Sequence, residues 1–340
     1  MLRCGQAHEA HGEFTAALTC YDDAIATLRA RSPDNVETRR ALGVAWMNRG
    51  NVLQKTAVDS CADERQPVET ALAAYDEAIA ILRTLPPAVA AYRNHLGAAW
   101  LNRGHALIGH ADAEAALCFE QALAALNELP LDENPSYRLN RAGAWTNLAH
   151  TEIVAAPARA RASATAGLEL VLAAASDDLA AAEMSLRARR ALVMALGELL
   201  RAAESAGQPT TALANDATDA LDAGLALARA WEIRGVRHLR PLALRLFCLG
   251  AQLYRLHQPH FLAEFLLENL GPAAFATDTE FHAVAEDALA RALADLQRPQ
   301  QLVAGTPDAE KLLATVRSLR AAQQHLATLA CPLSPSASPA

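Results

Sequence analysis

Apolar residues recur along most of this chain at intervals of three and four, the period of a helix that buries one face. In Cys20–Leu28 the stripe is Tyr21, Ala24 and Leu28. Ala74–Leu82 repeats it with Tyr75, Ala78 and Leu82, and Cys118–Leu126 with Phe119, Ala122 and Leu126. β-Branched residues never cluster into alternating runs, so strands are not predicted. Proline and glycine mark the ends of the segments. Ser32-Pro33-Asp34 reads as a cap followed by a first-turn proline, and Pro86-Pro87 and Asn134-Pro135 separate further segments. Gly207-Gln208-Pro209-Thr210 is another break, and Thr306-Pro307-Asp308 opens a helix to about Leu329.

A second motif alternates with the first. It reads Leu42-Gly-Val-Ala-Trp-Met-Asn-Arg-Gly50, then Leu96-Gly-Ala-Ala-Trp-Leu-Asn-Arg-Gly104, then Arg141-Ala-Gly-Ala-Trp-Thr-Asn-Leu-Ala149. The tryptophans Trp46, Trp100 and Trp145 stand 54 and 45 residues apart. Alternation of two helical motifs makes each unit a helix pair, and units of this kind bury their apolar stripes by stacking in series. The recurring glycine costs helix propensity, roughly 1 kcal/mol against alanine. Its return at Gly50 and Gly104 predicts a crossing where no side chain fits.

These residues resemble the tetratricopeptide repeat family. Its pattern runs tryptophan, leucine, glycine and tyrosine in helix A, then glycine, aromatic, alanine, aromatic and alanine through helix B. Gly5, Gly12, Phe14, Ala17, Tyr21 and Ala24 match from the first glycine onward. The first tryptophan position falls at Met1, so the opening repeat reads as trimmed or its start as set late. Trp46, Asn48, Gly50, Leu53, Ala71, Tyr75 and Ala78 form the second unit, with an extra stretch around Lys55 to Pro67. Trp100, Asn102, Gly104, Leu107, Ala115, Phe119 and Ala122 form the third. Trp145, Asn147 and Leu148 open a fourth in which Ala149 replaces glycine, and Arg190–Leu200 reads as a degenerate fifth helix A with Gly197 in the glycine position. The repeats are longer than the family's roughly 34 residues, and Arg49 and Arg103 stand where the family usually has leucine. The resemblance implies an all-α, helix-pair superhelical solenoid.

The expected organisation is repeats over 1–205, further antiparallel helices over 206–330, and a disordered tail over 331–340. The middle part reads either as a continuing array or as a C-terminal bundle. Its helices are expected at Leu213–Trp231, Pro241–His257, His260–Leu270, Thr279–Leu296 and Asp308–Leu329.

Composition narrows the function. Alanine dominates the 52% hydrophobic fraction, and with 30 Lys and Arg against 38 Asp and Glu the net charge is −8, which argues against nucleic acid as a partner. No stretch is long and apolar enough for a membrane span, and no secretory leader is apparent, so a cytoplasmic location is expected. The six cysteines form no CxxC pair, and neither a disulfide framework nor a zinc knot is expected. The histidine pairs His8/His11 and His257/His260 lack a third ligand at useful spacing, so no metal is expected. No cofactor fingerprint, P-loop or serine elbow is present, and the chain is expected not to be an enzyme.

The resemblance implies a groove lined by the first helix of each pair, which receives a protein or peptide. Carried over position by position, the groove residues are Asn48, Asn51 and Lys55, then Leu101, Asn102 and His105, then Thr146, Asn147 and His150. An asparagine offers both donor and acceptor, which suits a peptide backbone and suits equally a tie between neighbouring helices. Arg39, Arg93 and Arg138 each lie seven residues before a tryptophan and form a ladder. That ladder reads either as an anion site or as ion pairs with acids of the preceding helix B, such as Asp22, Asp76 or Glu120. The basic stretch holding Arg237 and Arg240 reads either as an anion contact or as a solvated helix start. Besides a peptide-binding scaffold, a self-associating module forming a homodimer and an anionic small-ligand sensor fit the sequence.

Overall fold

The computed structural model describes residues 1–31, 35–59, 65–270, 278–296 and 307–330. Every regular element among them is a helix. The chain divides into two compact units, Met1–Ala173 and Ala174–Ala340. The Ser32-Pro33-Asp34 cap, Thr306 and the 331–340 tail lie outside the described residues, as does much of the stretch between Lys55 and Pro67.

The first unit holds α1 (Leu2–Ala10), α2 (Phe14–Arg29), α3 (Val36–Asp59), α4 (Arg65–Leu82), α5 (Ala90–Leu107), α6 (Asp112–Leu126), α7 (Pro135–Glu152) and α8 (Pro157–Leu172). Each helix packs on the next, and the tightest associations are within the pairs α3/α4, α5/α6 and α7/α8. The odd helices also touch in a row, α1 to α3, α3 to α5 and α5 to α7. This is a stack of helix pairs, as the alternating motifs predict. The start of α7 follows from its sequence: the Asn134 side chain accepts from Ser136 N, and Pro135 fills the first turn, where no N–H is needed.

Two clasps set the register within a pair. A Cβ added to Gly50 would stand 2.6 Å from Cε1 of Tyr75, and one on Gly104 2.6 Å from Cε1 of Phe119. Gly5 and Tyr21 repeat this in α1/α2 at 2.5 Å. Seven residues before Gly50 and Gly104, Gly43 and Gly97 leave room for Leu82 and Leu126, which lie seven residues after the two aromatics. The rings of Tyr21, Tyr75 and Phe119 are fully buried, which for a large apolar side chain is worth roughly 1.5–3 kcal/mol. The fourth pair solves the same problem with small residues. A Cβ on Gly167 of α8 would meet Thr146 Oγ1 at 2.8 Å and the Ala142 carbonyl of α7 at 3.0 Å, so here backbone approaches backbone.

Pairs are joined to one another by a repeated ion pair. Arg49 Nε on α3 donates to Asp22 Oδ1 on α2 at 2.7 Å, and Arg103 Nε on α5 donates to Asp76 Oδ1 on α4 at 2.7 Å. Both spans are 27 residues. Arg49 and Arg103 therefore serve the stack. In α7 the matching position is Leu148, which is buried, and Glu120 is met instead by Arg159 at 3.3 Å. A second recurrence accompanies the first: Arg29 lies over the Trp46 ring at 5.1 Å and Arg83 over the Trp100 ring at 4.9 Å.

The second unit holds α9 (Leu179–Ser205), α10 (Thr211–Ile233), α11 (Arg240–His257), α12 (Leu262–Leu270), α13 (Thr279–Leu296) and α14 (Pro307–Ala330). Asp178 caps α9 by accepting from the backbone N of Ala180 and Ala181. Gly207, at φ 64, closes its end, where Gln208 N donates to Ala203 O at 2.8 Å. The helices expected from 211 onward are all present within two residues at either end. Again the odd helices touch in a row, α9 to α11 and α11 to α13. The glycine–aromatic clasp returns: a Cβ on Gly250 of α11 would run into Cζ of Phe265 on α12. Phe265 in turn stacks on Tyr254 at 4.6 Å and on Phe247 at 5.5 Å. By contrast Gly197 of α9, read as a clasp glycine, has open space where its Cβ would be. No helix among the described residues is long and apolar enough to cross a membrane.

Candidate functional site

Three successive odd helices of the first unit converge on one surface depression of about 350 Å³. Its lining is Glu9 from α1, Asn51, Gln54 and Lys55 from α3, and Asn102 and His105 from α5. Four of these, Asn51, Lys55, Asn102 and His105, are among the groove positions expected from the sequence. They meet because they sit at matching turns of helices that stack side by side.

The bonds in the depression fix its polarity. Asn51 Oδ1 accepts from Tyr75 OH at 2.9 Å and from Asn102 Nδ2 at 2.9 Å. Tyr75 OH also reaches Gln54 Oε1 at 3.0 Å. Burial, with the Glu9 charge adding to it, holds the Tyr75 hydroxyl well above the usual phenol range, so it remains a donor. Tyr75 has one hydroxyl proton to share between Asn51 Oδ1 and Gln54 Oε1, while Asn102, which donates through Nδ2, keeps its carbonyl as an acceptor. Lys55 Nζ donates to Glu9 Oε1 at 2.7 Å, while Glu9 Oε2 accepts from Tyr21 OH at 3.1 Å. Lys55 is half exposed and Glu9 only 16% exposed, so the cation is the accessible partner. The polar row continues with Tyr92 OH on Glu37 at 2.7 Å and Asn140 Nδ2 on Asn94 Oδ1 at 2.9 Å.

The other expected groove residues lie elsewhere. Asn48 is buried beside the Tyr21 hydroxyl, and Leu101 is buried in the α5/α6 core. Thr146 is 1% exposed and packed under Gly167. Leu101 and Thr146, one residue after their tryptophans, are turned about 100° from Asn102 and Asn147 and face neighbouring helices, whereas Asn48 holds the same motif position as Asn102 and is covered nonetheless. Asn147 and His150 are half-buried on α7, outside the depression, and His150 Nδ1 lies 3.0 Å from its own helix at Thr146 O. Glu9 and Gln54 were missed, although Gln54 lies one turn beyond Gly50 on a helix already identified.

Among the described residues no ion pair joins Arg39, Arg93 or Arg138 to an acid of the preceding helix B. Arg93 donates to the carbonyls of Asn127 at 3.1 Å and Glu128 at 3.3 Å, and so caps the end of α6 where Glu128 turns to φ 58. Arg39 is half-buried with its Nε unpaired, and Arg138 is half-buried. The ion pairs with helix B are made by Arg49 and Arg103 instead. In the second unit, Arg240 is committed to Glu232 at 2.6 Å and Asp278 at 3.1 Å. Arg237, 78% exposed, lies 3.7 Å from the same Glu232. Both arginines thus have an acidic neighbour within the same unit.

A second depression, of about 490 Å³, lies between α11 and α13 and is lined by Cys248, Gln252, Arg255, Val284, Asp287 and Arg291 among others. Its charges pair internally, Arg291 with Asp287 at 2.8 Å and Arg255 with Asp295 at 2.5 Å. At the start of the chain, Cys4 Sγ lies 2.9 Å from Cys20 Sγ, and a ring nitrogen of His8 lies within 4.8 Å of both sulfurs. The Glu13 carboxylate holds Nδ1 of His8.

No protein-family model matches this chain, and no curated protein is detectably similar to it in sequence.

Proposed function

We propose that this chain is a non-enzymatic scaffold of tetratricopeptide type that binds a protein or peptide segment on the odd-helix face of Met1–Ala173. The observation that carries this reading is the depression in which α1, α3 and α5 each supply polar side chains. The odd helices touch one another in a row, and no comparable row joins α2, α4, α6 and α8 among the described residues. A stack whose one layer is in closer contact curves toward that layer, which supports reading the odd face as the concave one.

The chemistry suits an extended peptide. Asn51 and Asn102, bonded to each other, also carry an NH₂ donor and a carbonyl acceptor, the complement of a peptide's own C=O and N–H. Lys55, half exposed and paired with Glu9, exchanges that carboxylate for one supplied by the ligand. The test is a variant carrying Asn51→Ala, Asn102→Ala and His105→Ala together. Its helicity is expected to match the parent while capture of the partner from native extract is lost. Undiminished capture of the same partner by the folded triple variant rejects this site.

A further inference from the structure

We infer that Cys4, His8 and Cys20 form a binding site for a thiophilic d¹⁰ metal ion, Zn(II) or Cu(I). The fold brings these residues together by the same device that aligns the other pairs. Gly5 receives the Tyr21 ring, and Cys4 and Cys20 are the residues immediately before each member of that clasp. At the same two positions of the third pair, Arg103 Nη1 and Cys118 Sγ stand 3.1 Å apart. The sulfur–sulfur approach of 2.9 Å is therefore a consequence of helix register. His8 follows Cys4 by four residues, one turn along the same face of α1. Sequence spacing alone did not reveal the third ligand, because Cys20 lies on the next helix.

The donor set selects the ion. Two thiolates and an imidazole are soft to borderline ligands and favour Cu(I) or Zn(II) over hard cations. Three protein ligands complete a trigonal Cu(I) site, or leave a Zn(II) ion one position for water. Glu13 supplies the outer support such sites use. By holding His8 Nδ1 it leaves Nε2 as the nitrogen with a free lone pair and fixes the ring. Cys4 is exposed, so an ion reaches the site without unfolding the hairpin. On binding, each thiol gives its proton to the buffer and its sulfur lone pair to the metal, and no electron changes hands. Two thiols in contact also fit a disulfide, but a disulfide has no use for His8 or for its carboxylate partner.

The experiment uses the reduced full-length chain without oxygen. Zn(II) and, separately, Cu(I) are titrated in competition with a chromophoric chelator, and Co(II) is added as an optical probe. The site predicts one tightly bound equivalent and a thiolate-to-cobalt absorption band. Cys4→Ser and Cys20→Ser, with helicity unchanged, are expected to lose both, while Cys118→Ser and Cys248→Ser retain them. Glu13→Gln is expected to weaken binding about 10-fold or more and keep the band, as loss of an outer-shell partner does. Tighter retention of Zn(II) or of Cu(I) identifies the ion. The inference is overturned if Cys4→Ser binds as the parent does, or if the reduced parent takes up neither ion. A Cys4–Cys20 disulfide that forms in air while the reduced chain ignores both metals overturns it as well.

Discussion

Gly104 and Phe119 share one space: the Phe119 ring is fully buried, and its Cε1 lies 2.6 Å from where a Cβ of residue 104 would stand. A buried ring in a packed core has nowhere to retreat. Gly104→Ala therefore gains helix propensity of about 1 kcal/mol but forces overpacking that costs about 1–3 kcal/mol. Net destabilisation is expected in urea unfolding followed by circular dichroism. Gly197→Ala is the opposite case, because nothing lies within 4 Å of its Cβ position. It is expected to stabilise by up to about 1 kcal/mol. Equal effects of the two substitutions would contradict the clasp.

The repeated ion pair makes a second quantitative claim. Arg103 is 16% exposed and also contacts Glu114 at 2.8 Å, whereas Arg49 is 23% exposed and pairs with Asp22 alone among the described acids. A double-mutant cycle with Arg103→Leu and Asp76→Asn is expected to give a coupling of about 0.5–1 kcal/mol, with the Arg49/Asp22 cycle smaller. The leucine is chosen because Leu148 fills the matching place in α7. A zero coupling at Arg103 would show that the pair contributes nothing to the stack.

His95 on α5 gives a pH signature. Burial and then the Arg40 guanidinium hold its pKa below the ordinary imidazole value, against a smaller opposing pull from Glu37. Because the folded value lies below the unfolded one, near 6.5, the unfolded chain binds more protons between the two. Stability therefore rises with pH across that window and is lost as pH falls below about 6.5. His95→Gln is expected to lose less stability than the parent between pH 7 and pH 5, read by thermal unfolding. Identical slopes for the two proteins would contradict this assignment.

Much of the fold was legible because helix periodicity and the two alternating motifs are local signals. Tyr21, Tyr75 and Phe119 announced the helix B cores, and Gly50 and Gly104 announced the crossings. What stayed hidden depends on rotation about each helix axis and on pairing across helices. Asn48 and Asn51 are three residues apart in one motif, yet one is buried and the other lines the depression. The Gly250–Phe265 clasp escaped notice because no tryptophan precedes it at the usual spacing, although its 15-residue interval equals that of Gly104 and Phe119. The partners of Arg93 stayed hidden for a similar reason, since they are backbone carbonyls, which leave no trace in the sequence.

The central claim is that the odd-helix face of the first unit is where a partner docks, and site-specific photo-crosslinking tests it most directly. A photoreactive residue is placed at His105, in the depression, or at Leu117, 60% exposed on the even helix α6. From position 105 the account predicts a discrete crosslinked partner that disappears when Asn51 and Asn102 are also changed to alanine, and none from position 117. Crosslinking from 117 with none from 105 would contradict it.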